Sequence, residues 1–137
     1  MVRDATKEMD LTESLILFSV LVLILASCQS NEGTLSTREG FTKARILIFT
    51  NALEAYKKDV GTFPTIGEGL AILLLQSNDK PNWHGPYIDR RDVPRDAWLN
   101  HFIYIYPPIF GDKDFDLYSP GPNGIDEQGK GDDIVNW

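Results

Sequence analysis

Sulfur and imidazole are scarce in this chain of 137 residues. A single cysteine, Cys28, excludes an internal disulfide and a cysteine-built zinc site. The two histidines, His84 and His101, have no serine or acid at a spacing that marks a nucleophile motif. No phosphate-cradling loop is present: Gly121, Gly124, Gly129 and Gly131 follow a strand-like run but precede no helix. No basic stripe runs along the chain, whose formal charge is −7, so nucleic acid is not an expected partner. The longest apolar run, Leu15 to Ala26, is too short to span a bilayer comfortably. No internal repeat or low-complexity segment is evident. These absences argue against an enzyme and against a small-molecule substrate.

With 42% apolar residues, the chain can build one ordinary core. Its acidity is concentrated. Residues 112–133 carry Asp112, Asp114, Asp116, Asp126, Glu127, Asp132 and Asp133 against Lys113 and Lys130, a net of −5. The closing segment starts as a strand at Asp116–Ser119 and runs through glycines and prolines that forbid helix. It places Asn123, Asp126, Glu127, Asp132 and Asp133 in turns, then ends on Ile134, Val135 and Trp137, which pin it to a core. Carboxylates held together this way repel, and a hard cation relieves the repulsion; calcium suits a flexible loop of oxygen donors. The spacing is not that of an EF-hand. A solvated loop whose Asp, Asn and Gly only make turns is the other reading.

At the front, the run 15–26 has the length of a signal-peptide hydrophobic region and leads into Leu25-Ala-Ser-Cys28. This resembles the lipobox of bacterial lipoproteins and implies Cys28 as a lipidation site. Asp4, Glu8, Asp10 and Glu13 depart from the basic start of a usual signal, and an uncleaved membrane helix is the alternative. The expected organisation is a signal or membrane segment at 1–27, a polar tether at 28–35 and a globular domain at 36–137.

Within that domain, Ser36-Thr-Arg-Glu39 matches a capping box and predicts a helix start. Phe41, Ala44, Ile48, Ala52, Ala55 and Tyr56 recur at helical spacing and predict the buried face, with Gly61 as the terminator. A second capping box, Thr65-Ile-Gly-Glu68, opens a shorter, buried helix through Leu75, and 77–81 reads as a loop. Trp83–Ile88 reads as irregular chain packed on the core. Phe102–Tyr106 and Phe115–Tyr118 predict an antiparallel strand pair.

These segments, in this order, resemble the type II secretion pseudopilin (protein G) family over about residues 40–137. The resemblance is carried by Ala52–Thr65 with its Gly-Thr-Phe-Pro-Thr turn, Glu68-Gly-Leu70, Trp83-His-Gly-Pro-Tyr-Ile88 and Pro94-Arg-Asp-Ala-Trp-Leu-Asn100. It continues through Asp116-Leu-Tyr-Ser119, Gly121-Pro-Asn-Gly124 and Asp132-Asp-Ile-Val-Asn-Trp137. Ala97 and Leu99 stand where the family has proline and glycine. The resemblance implies an α+β, pilin-like fold: an N-terminal amphipathic helix packed on a small antiparallel sheet with a calcium-stapled C-terminal loop. It implies metal ligands at Asn123, Asp132 and Asp133, main-chain oxygen near Pro120, and Asp126 as a further candidate. It implies other pseudopilins or secretion-system subunits as partners, a membrane anchor through the N-terminus, and a globular domain in the periplasm or outside the cell. The family's Gly-Phe-Thr-Leu-Ile-Glu start is not found, and Gly40-Phe41-Thr42 only echoes it. A free envelope lipoprotein that keeps the domain as a calcium-binding accessory module is the alternative.

Overall fold

The computed structural model describes residues 30–75 and 80–137. The apolar run 15–26, the Cys28 motif and most of the expected loop at 77–81 lie outside the described residues. Helix α1 spans Ser30–Val60, a single 3-10 turn spans Gly69–Leu73, and three short strands follow: β1 (Ile103–Ile105), β2 (Asp116–Ser119) and β3 (Ile134–Val135). The strands form one antiparallel sheet in the order β1-β2-β3. Tyr104 faces Leu117 in one pairing and Ser119 faces Ile134 in the other. The architecture is α+β, as expected. Residues Thr37–Trp137 make up one compact unit.

The start of α1 differs from the sequence reading. The helix is already continuous from Ser30, ahead of the start predicted at Ser36. Ser36 and Glu39 therefore sit inside the helix. Glu39 instead pairs with Lys43, one turn on, at 2.6 Å, the favoured order for such pairs.

The buried face also differs. Phe41, Ala44, Ile48 and Ala55 are exposed, and only Ala52 and Tyr56 of the expected set are buried. The core takes Thr42, Ile46, Phe49, Leu53 and Tyr56, spaced alternately four and three residues apart. The helix carries two apolar stripes of similar period, and the exposed one begins with the more apolar residue. Thr42 looks polar in the sequence, yet it is fully buried because its hydroxyl accepts the Ala97 N–H at 3.2 Å. The stripe that wins presents Ile46, Phe49 and Leu53, whereas the exposed one alternates Phe41 and Ile48 with the small Ala44 and Ala55. Gly61 ends the helix as expected: its φ is 93°, and its N–H donates to the Lys57 carbonyl at 2.7 Å.

Thr65 and Glu68 form the second capping box as predicted. The Thr65 N–H donates to Glu68 Oε2 at 2.8 Å, and the Glu68 N–H donates to Thr65 Oγ1 at 3.3 Å. The element it opens is 3-10 rather than α, with Leu70 and Leu73 inward. Trp83–Ile88 packs on this turn: Trp83 Nε1 donates to the Ile72 carbonyl, and the N–H groups of Tyr87 and Ile88 both donate to the Leu73 carbonyl. The core between α1 and the sheet is aromatic, with Phe49 edge-on to Phe102 and Phe63 edge-on to Phe115.

Candidate functional site

The closing loop starts from a buried polar node. Asp96 is 1% exposed. Its carboxylate accepts the N–H groups of Trp98 and Asn100, the Asn100 side-chain amide and the Ser119 hydroxyl. Ser119 Oγ in turn accepts the Gly121 N–H, and the Asn100 amide also donates to the Gly121 carbonyl. This network fixes the chain at Pro120 and Gly121, where β2 gives way to the loop. Gly121 has φ of 64°, and a Cβ there would collide with the Asp132 main-chain oxygen. Glycine is thus required where the outgoing and returning arms of the loop touch.

The returning arm is held by carboxylates used as main-chain acceptors. Asp133 Oδ2 accepts the N–H groups of Glu127 at 3.1 Å and Gly129 at 2.8 Å. Its other oxygen, Oδ1, is buried and has no hydrogen-bond partner. Burial pushes the Asp133 carboxyl above its ordinary pKa; the two N–H donors oppose this, and the charges of Asp126 and Glu127 add to it. Asp126 Oδ1 accepts the Tyr118 hydroxyl at 3.0 Å and the Gln128 N–H at 2.9 Å. Burial first, and the Asp126 bond second, raise the Tyr118 phenol. Trp137 stands edge-on to Tyr118 and closes the chain over the sheet.

Among the expected ligands, Asp126 and Asp133 are electrostatic neighbours. Asn123 is exposed; its side-chain oxygen accepts the Ile125 N–H and its amide lies 3.4 Å from Glu127. Asp132 is exposed and contributes its N–H to Glu127 at 2.7 Å. Pro120 is buried just past the end of β2. Among the described residues, no three Asp, Glu, His or Cys side chains form a group able to hold a metal by themselves. Oxygen ligation here therefore needs the main chain and Asn123 beside the carboxylates.

Sequence reasoning counts Glu127 among the turn carboxylates but not as the link between Asn123 and Asp132 that it forms, and it gives no role to the Asp96–Asn100–Ser119 node. Asp96 and Asn100 stand four apart within Pro94–Asn100, and that spacing brackets the tight turn they close. Asp116 enters the sequence reading as an acid of the closing segment and the first residue of its strand, with no hydrogen-bonding role. It is fully buried and accepts three consecutive N–H groups, from Ile109, Phe110 and Gly111.

The family model for protein G of the type II secretion system matches residues 33–137. Type II secretion system core protein G of Vibrio cholerae serotype O1 is 37% identical over 97 residues, covering 67% of this chain and 63% of that protein. The protein of the same name from Escherichia coli K12 is 38% identical over 97 residues, covering 67% and 62%. The crystal structure of the major pseudopilin from the type 2 secretion system of enterohaemorrhagic Escherichia coli superposes with a TM-score of 0.66. It does so at 26% identity, over 80% of this chain and 90% of that one. The chain thus spans slightly less than two thirds of the length of these two sequence relatives.

Proposed function

Since the chain belongs to the type II secretion system protein G family, we propose that it is a non-enzymatic, pseudopilin-like structural subunit of that apparatus. In this reading it assembles with other secretion-system subunits in the bacterial envelope, anchored at the membrane through residues preceding the globular unit. The observation that carries the reading is the globular unit itself: α1 laid on a three-stranded antiparallel sheet, with the motif-bearing turns in the order of the family. Among the described residues, no helix is long and apolar enough to cross a membrane; in this reading the anchor is the apolar run at 15–26. The test is recovery of the tagged chain in surface fibres sheared from cells, together with secretion of a reporter substrate in a strain lacking the chain. Normal secretion, with no chain in the fibres, would refute the assignment.

The second part of the proposal is a calcium ion in the closing loop. Its support is the buried, unpartnered Asp133 Oδ1 beside two further carboxylates. A buried acceptor left without a donor costs about 1–3 kcal/mol, and a cation removes that cost. Asp126, Asp132, Asp133, Asn123 and the Pro120 main-chain oxygen are the donors assigned to it, an all-oxygen set suited to calcium. When bound, the ion supplies positive charge that lets these carboxylates stay ionised together. The protein's own part is to hold the two arms of the loop in contact at Gly121 and Asp132.

One sequence feature favours a second reading. Leu25-Ala-Ser-Cys28 is the pattern of a lipoprotein processing site, and a lipidated chain would be a free envelope module that does not polymerise. Metabolic labelling with a palmitate analogue separates the two. Label that disappears in Cys28→Ala supports the lipoprotein, and an unlabelled chain in fibres supports the subunit.

A further inference from the structure

A groove of about 550 Å³ lies between α1 and the chain at 88–99 of the globular unit. That volume is in the range of functional pockets. Its rim is cationic in a molecule whose formal charge is −7. Arg45, Arg90, Arg91 and Arg95 line it, opposed only by Asp92, a local net of +3. Among the described residues, no arginine takes part in an ion pair. Arg45 and Arg95 are spent on main-chain carbonyls, those of Arg95 and Leu99 respectively, and this fixes their direction.

The groove is also apolar, and its exposed members are unusual. Ile48 is 54% exposed and Leu99 is 74% exposed. Leu99 has φ of 72°, the left-handed region that side chains with a Cβ rarely adopt. A leucine held in a costly conformation and pointed at solvent gains nothing for the fold. Strained, exposed residues of this kind cluster at functional surfaces.

The chain itself carries a matching piece. Ile125 stands 62% exposed on the closing loop, followed directly by Asp126 and Glu127. Residues 124–133 hold four acids against Lys130, a local net of −3, and a bound calcium would leave the segment still negative. An apolar knob on an acidic loop is the complement of an apolar groove with a cationic rim.

We infer that the Ile125 loop tip of one copy seats in the arginine-rimmed groove of a second copy, with Ile125 against Leu99 and Ile48. The inference rests on the assembly reading given above and names the surfaces through which copies meet. Groove and knob are different patches of one chain, so the contact is heterologous and propagates when it does not close on itself. Loss of the rim charges weakens encounter and register, and covering the knob buries three otherwise wet side chains.

The test is a cross-link between singly substituted full-length chains. Leu99→Cys and Ile125→Cys are made separately in a Cys28→Ser background, each with its own tag, and co-produced. Both positions are exposed, so neither substitution disturbs the core. The expected result is a disulfide-linked species carrying both tags, since seated side chains approach within disulfide reach. Its yield should be well above that of a control pair in which Ile109→Cys, also exposed at 70%, replaces Ile125→Cys. Arg90→Glu with Arg91→Glu should lower the yield, as should 1 M salt, where screening is nearly complete beyond about 3 Å. A yield no greater than the control overturns the pairing, and so does an equally abundant Leu99→Cys homodimer. Recovery in sheared fibres, scored in the same cells, judges the subunit reading separately. Fibres without the cross-link would leave that reading standing and remove only this contact.

Discussion

Asp96 illustrates how much one carboxylate can organise. Its two oxygens satisfy four donors from three residues, and it is almost wholly buried. Asp96→Ala would leave those donors in a dry site, and each unsatisfied buried group costs about 1–3 kcal/mol. The expected loss of stability is about 3 kcal/mol or more, read as a shift of the urea midpoint at constant slope. A loss below about 1 kcal/mol would mean that water reaches the node. Glu68 offers a pH test. Partial burial works against its charge, but the Thr65 N–H and hydroxyl and the Lys80 ammonium, at 2.9 Å, outweigh burial and hold its pKa below the ordinary value. A depressed carboxyl binds protons less readily folded than unfolded. Its contribution is therefore present above the unfolded value, about pH 4.3, and is lost as pH falls through the folded one. Glu68→Gln should be less stable than the parent at neutral pH and equal to it in strong acid. A gap of the same size at both ends would assign the effect to the capping bonds alone.

At the scale of elements, the helix is where sequence and structure part most clearly. Phe41, Ala44, Ile48 and Ala55 make a credible buried stripe by period and hydropathy, yet the sheet meets the stripe one residue further round. Period alone cannot choose between two apolar stripes on one helix; partner shape and the Thr42 hydroxyl bond decide. Phe49→Ala should therefore cost about 3–5 kcal/mol, and Ile48→Ala well under about 1 kcal/mol. Equal costs by denaturant melts would restore the original face. The turn elements are far more legible, because Gly61, the Thr65–Glu68 box and the strand pair announce themselves through local chemistry. The 95–100 turn is legible only as a motif, since nothing in a leucine signals a left-handed backbone. Leu99→Gly removes that strain, worth about 1–2 kcal/mol, while adding flexibility to the unfolded chain of about 0.5–1 kcal/mol. The variant should melt slightly higher than the parent even though it loses a side chain. A lower melting temperature would show that the Leu99 side chain has packing the free chain needs.

Across the whole molecule, charge is distributed unevenly, and the closing loop carries the consequence. The acidic excess of 112–133 is plain from the sequence, as is its return to the core at Ile134 and Trp137. The internal accounting is not, because which oxygens are spent on N–H donors and which are left over depends on backbone path. Asp133 sharpens the point: one oxygen holds Glu127 and Gly129, while the other is buried without a partner. With calcium at a hundredfold excess over its dissociation constant, the folded state should gain about 2.7 kcal/mol. For a domain near 100 residues this raises the melting temperature by about 10 °C or more relative to chelator. The substitution Asp133→Asn separates the ion from the loop. The amide keeps an oxygen for the two N–H donors and turns its nitrogen toward Asp126 and Glu127, replacing repulsion with attraction. In chelator, the Asp133→Asn protein should therefore be as stable as the parent or more so, while the calcium increment largely disappears. An undiminished increment would move the ion away from Asp133, and a variant that is weaker in chelator would show that the carboxylate supports the loop without any cation.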